Sequence, residues 1–231
     1  MLICFLRNVL FCQHTFAPKY AMKRIKPSII FICILLLFAS ALSAQEHVSN
    51  QWIDEGYALF NAKKYKEAVV EFTKAIYMDA ENEDALLFRG VSYIGLGNYQ
   101  QALKDINKVL ELNPENGIAY KDRAIAYWSM GDYQKAIKDS TRAIEVDPEL
   151  APEAYYNRGL SYSQLGEYKQ AIKDFTKAIE LNPKNTNAYY NRGVMYNKVG
   201  EKDKGWEDMK MCARLGDKNV QELLKSGGVE W

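Results

Sequence analysis

Four arginines recur along the chain at intervals of 34 or 35 residues: Arg89, Arg123, Arg158 and Arg192. A row of guanidinium groups is the chemistry of anion capture, because each presents a planar fork that matches a carboxylate or a phosphate. A row of acids keeps the same intervals: Glu71, Asp105, Asp139, Asp174 and Asp208. Carboxylates are therefore supplied in matching number, which favours internal pairing over a waiting anion site. Pairing each arginine with the acid that follows it, 16 residues on, would leave Glu55 facing Glu71, two like charges. Pairing each acid with the next arginine gives Glu71–Arg89, Asp105–Arg123, Asp139–Arg158 and Asp174–Arg192. The second scheme is expected here. It makes the row a device that registers successive segments, worth about 0.5–1 kcal/mol per partly exposed pair.

Other chemistry has little to draw on. Beyond residue 44 there is one histidine, His47, and one cysteine, Cys212. No Ser/His/Asp set, HExxH motif, phosphate loop or metal-spaced cluster is found. A single thiol can build neither an intramolecular disulfide nor a four-ligand zinc site. No catalytic residue, cofactor or metal is expected, and no small-molecule substrate. The formal net charge of +1 conceals an asymmetry, since residues 1–44 hold five basic residues and no acid. The remainder holds 25 basic and 29 acidic residues, a net of −4, which is a poor match for nucleic acid.

The basic residues sit in an address. Lys23, Arg24 and Lys26 precede an apolar run from Ile29 to Ala39, followed by small residues with candidate cleavage sites at Ala41 and Ala44. This is the layout of a secretory signal over 22–44, with cleavage expected after Ala44. Residues 1–21 then read as an upstream extension from a mis-assigned start, and 45–50 as a disordered lead-in. The protein is expected to be exported, periplasmic or secreted. The alternative is an inner-membrane anchor over 25–42, so membrane contact runs only through the signal or an uncleaved anchor. Cys33 follows bulky Ile32 and does not suit acylation.

The elements that must position the charged rows are repeats. Residues 85–114, 119–148 and 154–183 align with one another, and the period of 34 continues on both sides. The divisions are 49–82, 83–116, 117–151, 152–185 and 186–219, with one extra residue near Ala151-Pro152. Within each repeat, position 4 is Trp52, Leu86, Tyr120, Tyr155 or Tyr189, and position 11 is Leu59, Tyr93, Tyr127, Tyr162 or Tyr196. Seven residues apart, they share one face of a first helix, A. Position 8 is Gly56, Gly90, Ala124, Gly159 or Gly193, and is expected to meet small position 20 of a second helix, B. Gly97, Gly131, Gly166 and Gly200 close helix A, Asn98 and Asp132 suit the N-cap of B, and Pro114, Pro148 and Pro183 end B. Cys212 at position 27 reads as a buried core thiol.

This pattern resembles the tetratricopeptide repeat. The resemblance implies an all-α fold, a right-handed α-solenoid of about five helix-turn-helix repeats. Val220, Leu223 and Leu224 add a short capping helix over 218–226, and 227–231 form a tail. It also implies that helix A lines a concave groove through positions 2, 5, 6, 9, 12 and 13. The candidate binding residues there are Tyr57, Phe60, Leu87, Phe88, Val91, Ile94, Ile125 and Trp128 at an apolar end, and Tyr156, Asn157, Tyr190 and Asn191 at an amide-rich end. A protein or extended peptide is the expected partner. The clamp by which one variant of the family holds the acidic tails of chaperones is a poor match: across repeats three to five only Lys121 and Asn157 agree with it. The leading expectation is an exported adaptor or scaffold. The alternative is a structural subunit or accessory factor of a cell-envelope or secretion assembly.

Overall fold

The computed structural model of the chain describes residues 27–228, 230 and 231. The expected extension 1–21 and the basic residues Lys23, Arg24 and Lys26 lie outside these. Packing divides the chain into two compact units, 1–46 and 47–231. Helix α1 spans Pro27–Asn61. In the first unit Leu35, Leu36 and Leu37 are exposed. Residues 45–50, expected as a disordered lead-in, are helical; they contain neither glycine nor proline to break the ladder. Among the described residues no helix is long and apolar enough to cross a membrane.

The second unit is all-helical among the described residues. The last part of α1 pairs with α2 (Tyr65–Met78), α3 (Glu83–Gly95) with α4 (Tyr99–Leu112), α5 (Gly117–Ser129) with α6 (Tyr133–Val146), α7 (Ala151–Gln164) with α8 (Tyr168–Leu181), and α9 (Thr186–Lys198) with α10 (Lys202–Arg214). Helix α11 (Lys218–Ser226) closes the series.

Local chemistry sets these boundaries. The side chains of Asn82, Asn116, Asn185 and Asp217 accept a hydrogen bond from the backbone N–H three residues on, capping α3, α5, α9 and α11. Asp132 caps α6 in the same way, whereas Asn98 makes no side-chain cap on α4. The extra residue of repeat three is absorbed as a 3-10 turn, Pro148–Leu150, begun by Asp147. Each A helix ends with a backbone 6→1 bond, such as Asn98 N–H to the Tyr93 carbonyl, which turns the chain through a left-handed residue. Glycine holds that place in repeats two to five, with φ of +76° at Gly97 and +82° at Gly131, but repeat one puts Lys63 there, at φ +57°.

The close contact of A with B follows a complementarity. A Cβ on Gly56 would meet the Phe72 ring at 2.6 Å, and one on Gly159 the Phe175 ring at 2.8 Å. Position 8 thus presses on the position-24 side chain in repeats one, two and four, while in repeat five Gly193 meets the carbonyl of Gly205, at position 20, at 3.1 Å as expected. Repeat three carries Ala124 at position 8, and there position 24 shrinks to Ser140. Successive repeats meet where position 27 faces position 3 of the next. Ala75 clusters with Ala85, Val109 with Ala119 and Ala178 with Ala188, all with no exposed surface. Cys212 and Val220 continue the series, so α11 docks as the A helix of a sixth repeat would. Helix α3 touches α5, α5 touches α7 and α7 touches α9 directly, while α4, α6, α8 and α10 do not touch one another. The stack therefore bends around its A helices, and their outer side chains line the concave face.

Candidate functional site

The arginine row is consumed by the stack, but not in the expected scheme. Arg89 donates through Nε and Nη2 to Asp105, Arg123 to Asp139, Arg158 to Asp174 and Arg192 to Asp208, all at 2.7–2.9 Å. Every fork is bidentate and lies within its own repeat. The expected links Glu71–Arg89, Asp105–Arg123, Asp139–Arg158 and Asp174–Arg192 are corrected accordingly. The physical reason lies in repeat one. Glu55 and Glu71 need not oppose each other, because Gln51 donates to Glu55 at 2.9 Å and Lys74 pairs with Glu71 at 2.7 Å.

The link between repeats is made by the remaining nitrogen. Nη1 of Arg89, Arg123, Arg158 and Arg192 reaches back to Thr73, Asn107, Thr141 and Thr176 of the preceding B helix, at 2.7–3.1 Å. Each of the three threonines donates its own proton to the carbonyl four residues earlier, which leaves its oxygen free to accept. The arginines also lie over tyrosine rings: Arg123 over Tyr120 at 5.4 Å, Arg158 over Tyr155 at 5.2 Å and Arg192 over Tyr189 at 5.5 Å. Burial pulls the Arg123 pKa down, but the hydrogen bond and charge of Asp139 outweigh it and raise it overall. The partner aspartates are buried. Such guanidinium groups are not offered to a ligand.

The concave candidates sort into four groups. Leu87 is 5% exposed and belongs to the core with Leu86, Ile106 and Ala119, so its expected place in the groove is corrected. It follows Leu86 by one step, and the crossing of α3 over α4 turns both inward. Tyr57, Phe60 and Phe88 form an aromatic cluster between repeats one and two. Phe88 meets Tyr57 edge-on at 4.4 Å and Phe60 at 5.5 Å; Val91 and Ile94 continue this half-buried strip. Ile125, Trp128 and Asn157 line a hollow of about 230 Å³ with Ala124, Ser129 and Leu160, between α5 and α7. Trp128 packs on Tyr133, and its Nε1 has no hydrogen-bond partner among the described residues. At the far end Asn191 donates to the Tyr156 hydroxyl at 3.0 Å, and Tyr190 stands 43% exposed.

Acidic groups on this face escaped the sequence reading. Asp122 is buried, with the Lys121 ammonium 3.9 Å away and itself closer to Glu153, at 3.2 Å. Burial pushes the Asp122 carboxyl up to about 6, against the pull of Lys121. Tyr57 is pushed up to about 12 by burial and by the charges of Asp84 and Asp54. The signal for them was available: Asp54, Asp122 and Glu153 occupy groove positions in the 34-residue register. Cys212 is buried against the Thr186 carbonyl, and burial with the charges of Asp208 and Asp217 pushes its thiol up to about 12. It is a protonated core residue at neutral pH. Among the described residues no group of three acidic, histidine or cysteine side chains could hold a metal ion.

Profiles of the tetratricopeptide repeat match residues 52–82, then 83–116, 117–150 and 152–185, and again 175–207, about two thirds of the chain. The chain belongs to the tetratricopeptide-repeat family. No curated protein matches it significantly. Among solved structures it is similar to MamA, at 26% identity and a TM-score of 0.64, over 72% of this chain and 96% of that one. Pseudomonas aeruginosa pilF shares the fold at 20% identity and a TM-score of 0.69, over 78% of this chain and 82% of that one. YrrB, described as a tetratricopeptide-repeat protein with an unusual peptide-binding site, shares it at 22% identity and a TM-score of 0.62, over 82% and 97%. The repeat family accounts for the stack.

Proposed function

We propose that this tetratricopeptide-repeat protein is an exported adaptor that binds another protein, or an extended segment of one, along its concave helix-A face. The family supports a protein-interaction scaffold. The observation that carries the reading is the division of labour between side chains. The arginines and aspartates are spent inside the stack, while Tyr190, Trp128, Asn157 and the Tyr57–Phe88 cluster line the concave face. Half-buried aromatics with amides among them suit an extended backbone and its side chains. The peptide-binding site named for YrrB is an analogy in the same direction. The arrangement of residues 22–44 supports export.

A second reading, a structural subunit of an envelope or secretion assembly, draws on a different surface. Tyr77 on α2 is 88% exposed, and Trp206 on α10 is also exposed. Both lie on B helices, away from the A-helix groove. A photo-crosslinking residue placed at Tyr190 or at Tyr77 in the native cell separates the two. The adaptor reading expects a discrete adduct from Tyr190 and none from Tyr77. An adduct confined to Tyr77 would transfer the function to the outer face.

A further inference from the structure

The groove has a sign, and the sign selects an occupant. Its positions carry four carboxylates, Asp54, Asp84, Asp122 and Glu153, and two ammonium groups, Lys121 and Lys198. Lys121 is already held by Glu153 and Asp122, and Lys198 lies in the last turn of α9 at the far end. Repeats one and two therefore present unopposed negative charge. Asp54, one turn before Tyr57 on α1, and Asp84, in the first turn of α3, are both exposed. Among the described residues neither takes part in an ion pair. The Tyr57 ring is half-buried on the edge of Phe88, with Phe60 beside it. Carboxylates beside an aromatic ring hold an ammonium or guanidinium through charge and through the ring quadrupole. Asp122, one repeat further on, is 8% exposed and faces the Lys121 ammonium at 3.9 Å, which it shares with Glu153, so two carboxylates meet one cation there and the negative sign continues along the face.

Resting on the groove reading above, we propose that the occupant is an extended protein segment carrying a lysine or arginine, whose cation seats at Tyr57 beside Asp54 and Asp84. The apolar residues next to that cation pack on Phe60, Val91 and Ile94. An acidic tail is rejected by the same charges.

The test is a selection of displayed random short peptides on the full chain. Selected peptides are then measured by fluorescence anisotropy against the wild type, the double variant Asp54→Asn/Asp84→Asn, and Asp203→Asn as a control on α10. Because both targeted carboxylates are exposed, the double variant keeps the fold, which a thermal melt verifies. The expected result is a shared basic residue in the peptides and a roughly five- to tenfold weaker affinity in the double variant. The control should bind as the wild type does, and changing the peptide's basic residue to glutamine should erase the difference. Peptides without a basic residue, unaffected by the double variant but weakened by Tyr190→Ala or Trp128→Ala, would overturn the cation and leave the groove standing. Peptides indifferent to every groove substitution would overturn both.

Discussion

Repeat one and repeats two to five solve the same packing problem with different residues. In the later repeats an arginine at position 7 grips a buried aspartate of its own B helix and a hydroxyl or amide of the preceding one. Repeat one has Glu55 at that place, has no earlier repeat to reach, and pairs Glu71 with Lys74 along its own helix instead. It relies on Phe72 filling the space that Gly56 leaves, with Tyr57, Phe60 and Phe88 stacked over it. The contrast shows what the charge row is for. It appears where one repeat must be registered on another, and it is dispensable at the end of the stack. The same end keeps its carboxylates unpaired on the concave side.

Substitutions can break this contrast in order of size. Arg123→Ala strands the buried carboxylate of Asp139 and should cost about 3 kcal/mol in denaturant unfolding. Glu71→Ala, which loses only a pair with the 45%-exposed Lys74, should cost less than about 0.5 kcal/mol. Equal effects would deny the distinction between the repeats. Gly159→Ala drives a methyl into the Phe175 ring and should cost about 2 kcal/mol by thermal melt, whereas Gly97→Ala meets no atom and strains only a left-handed turn, at about 1 kcal/mol.

The pH dependence tests the acidic groove. The folded-state carboxyl of Asp122 titrates near 6, above its ordinary value, so the native chain holds this proton more tightly than the unfolded chain does. Its contribution is therefore fully present below about pH 4 and is lost as pH rises through about 6. Asp122→Asn should remove that loss and be more stable than wild type at pH 7 by about 2 kcal/mol, with the gap closing towards pH 4. The smallest effect is a gain. Lys63→Gly relieves the left-handed lysine that sets repeat one apart and should raise stability by about 0.5–1 kcal/mol.

Much of the fold is legible in sequence because each feature is demanded several times. A left-handed residue must follow every A helix, and Gly97, Gly131, Gly166 and Gly200 announce it. A thin residue must sit opposite each bulky position 24, and Ala124 departs from glycine only where position 24 is the small Ser140. The pairing of the charge row was hidden for the opposite reason. Glu55 and Glu71 belong to the one repeat that departs from the pattern, and their apparent clash disappears once their neighbours Gln51 and Lys74 are counted. In the groove, periodicity places Leu87 and Phe88 together as candidates. Adjacent residues on a helix point about 100° apart, and only the crossing of the helices decides that Leu87 is core. Asp54, Asp84 and Asp122 are legible by position, but their charge gains meaning only from the structure, which shows the arginines to be occupied.

On the proposed function, charge builds the stack and the concave face is left to bind. Arg158 tests it most directly, since it adjoins the groove residue Asn157 in sequence yet spends its guanidinium on Asp174 and Thr141. The affinity of a display-selected peptide is measured for Arg158→Ala and for wild type, well below either melting temperature. The expected result is a lower melting temperature with affinity within about twofold of wild type. An unchanged melting temperature with binding abolished would show that the arginine row, and not the aromatic and amide face beside it, is the site.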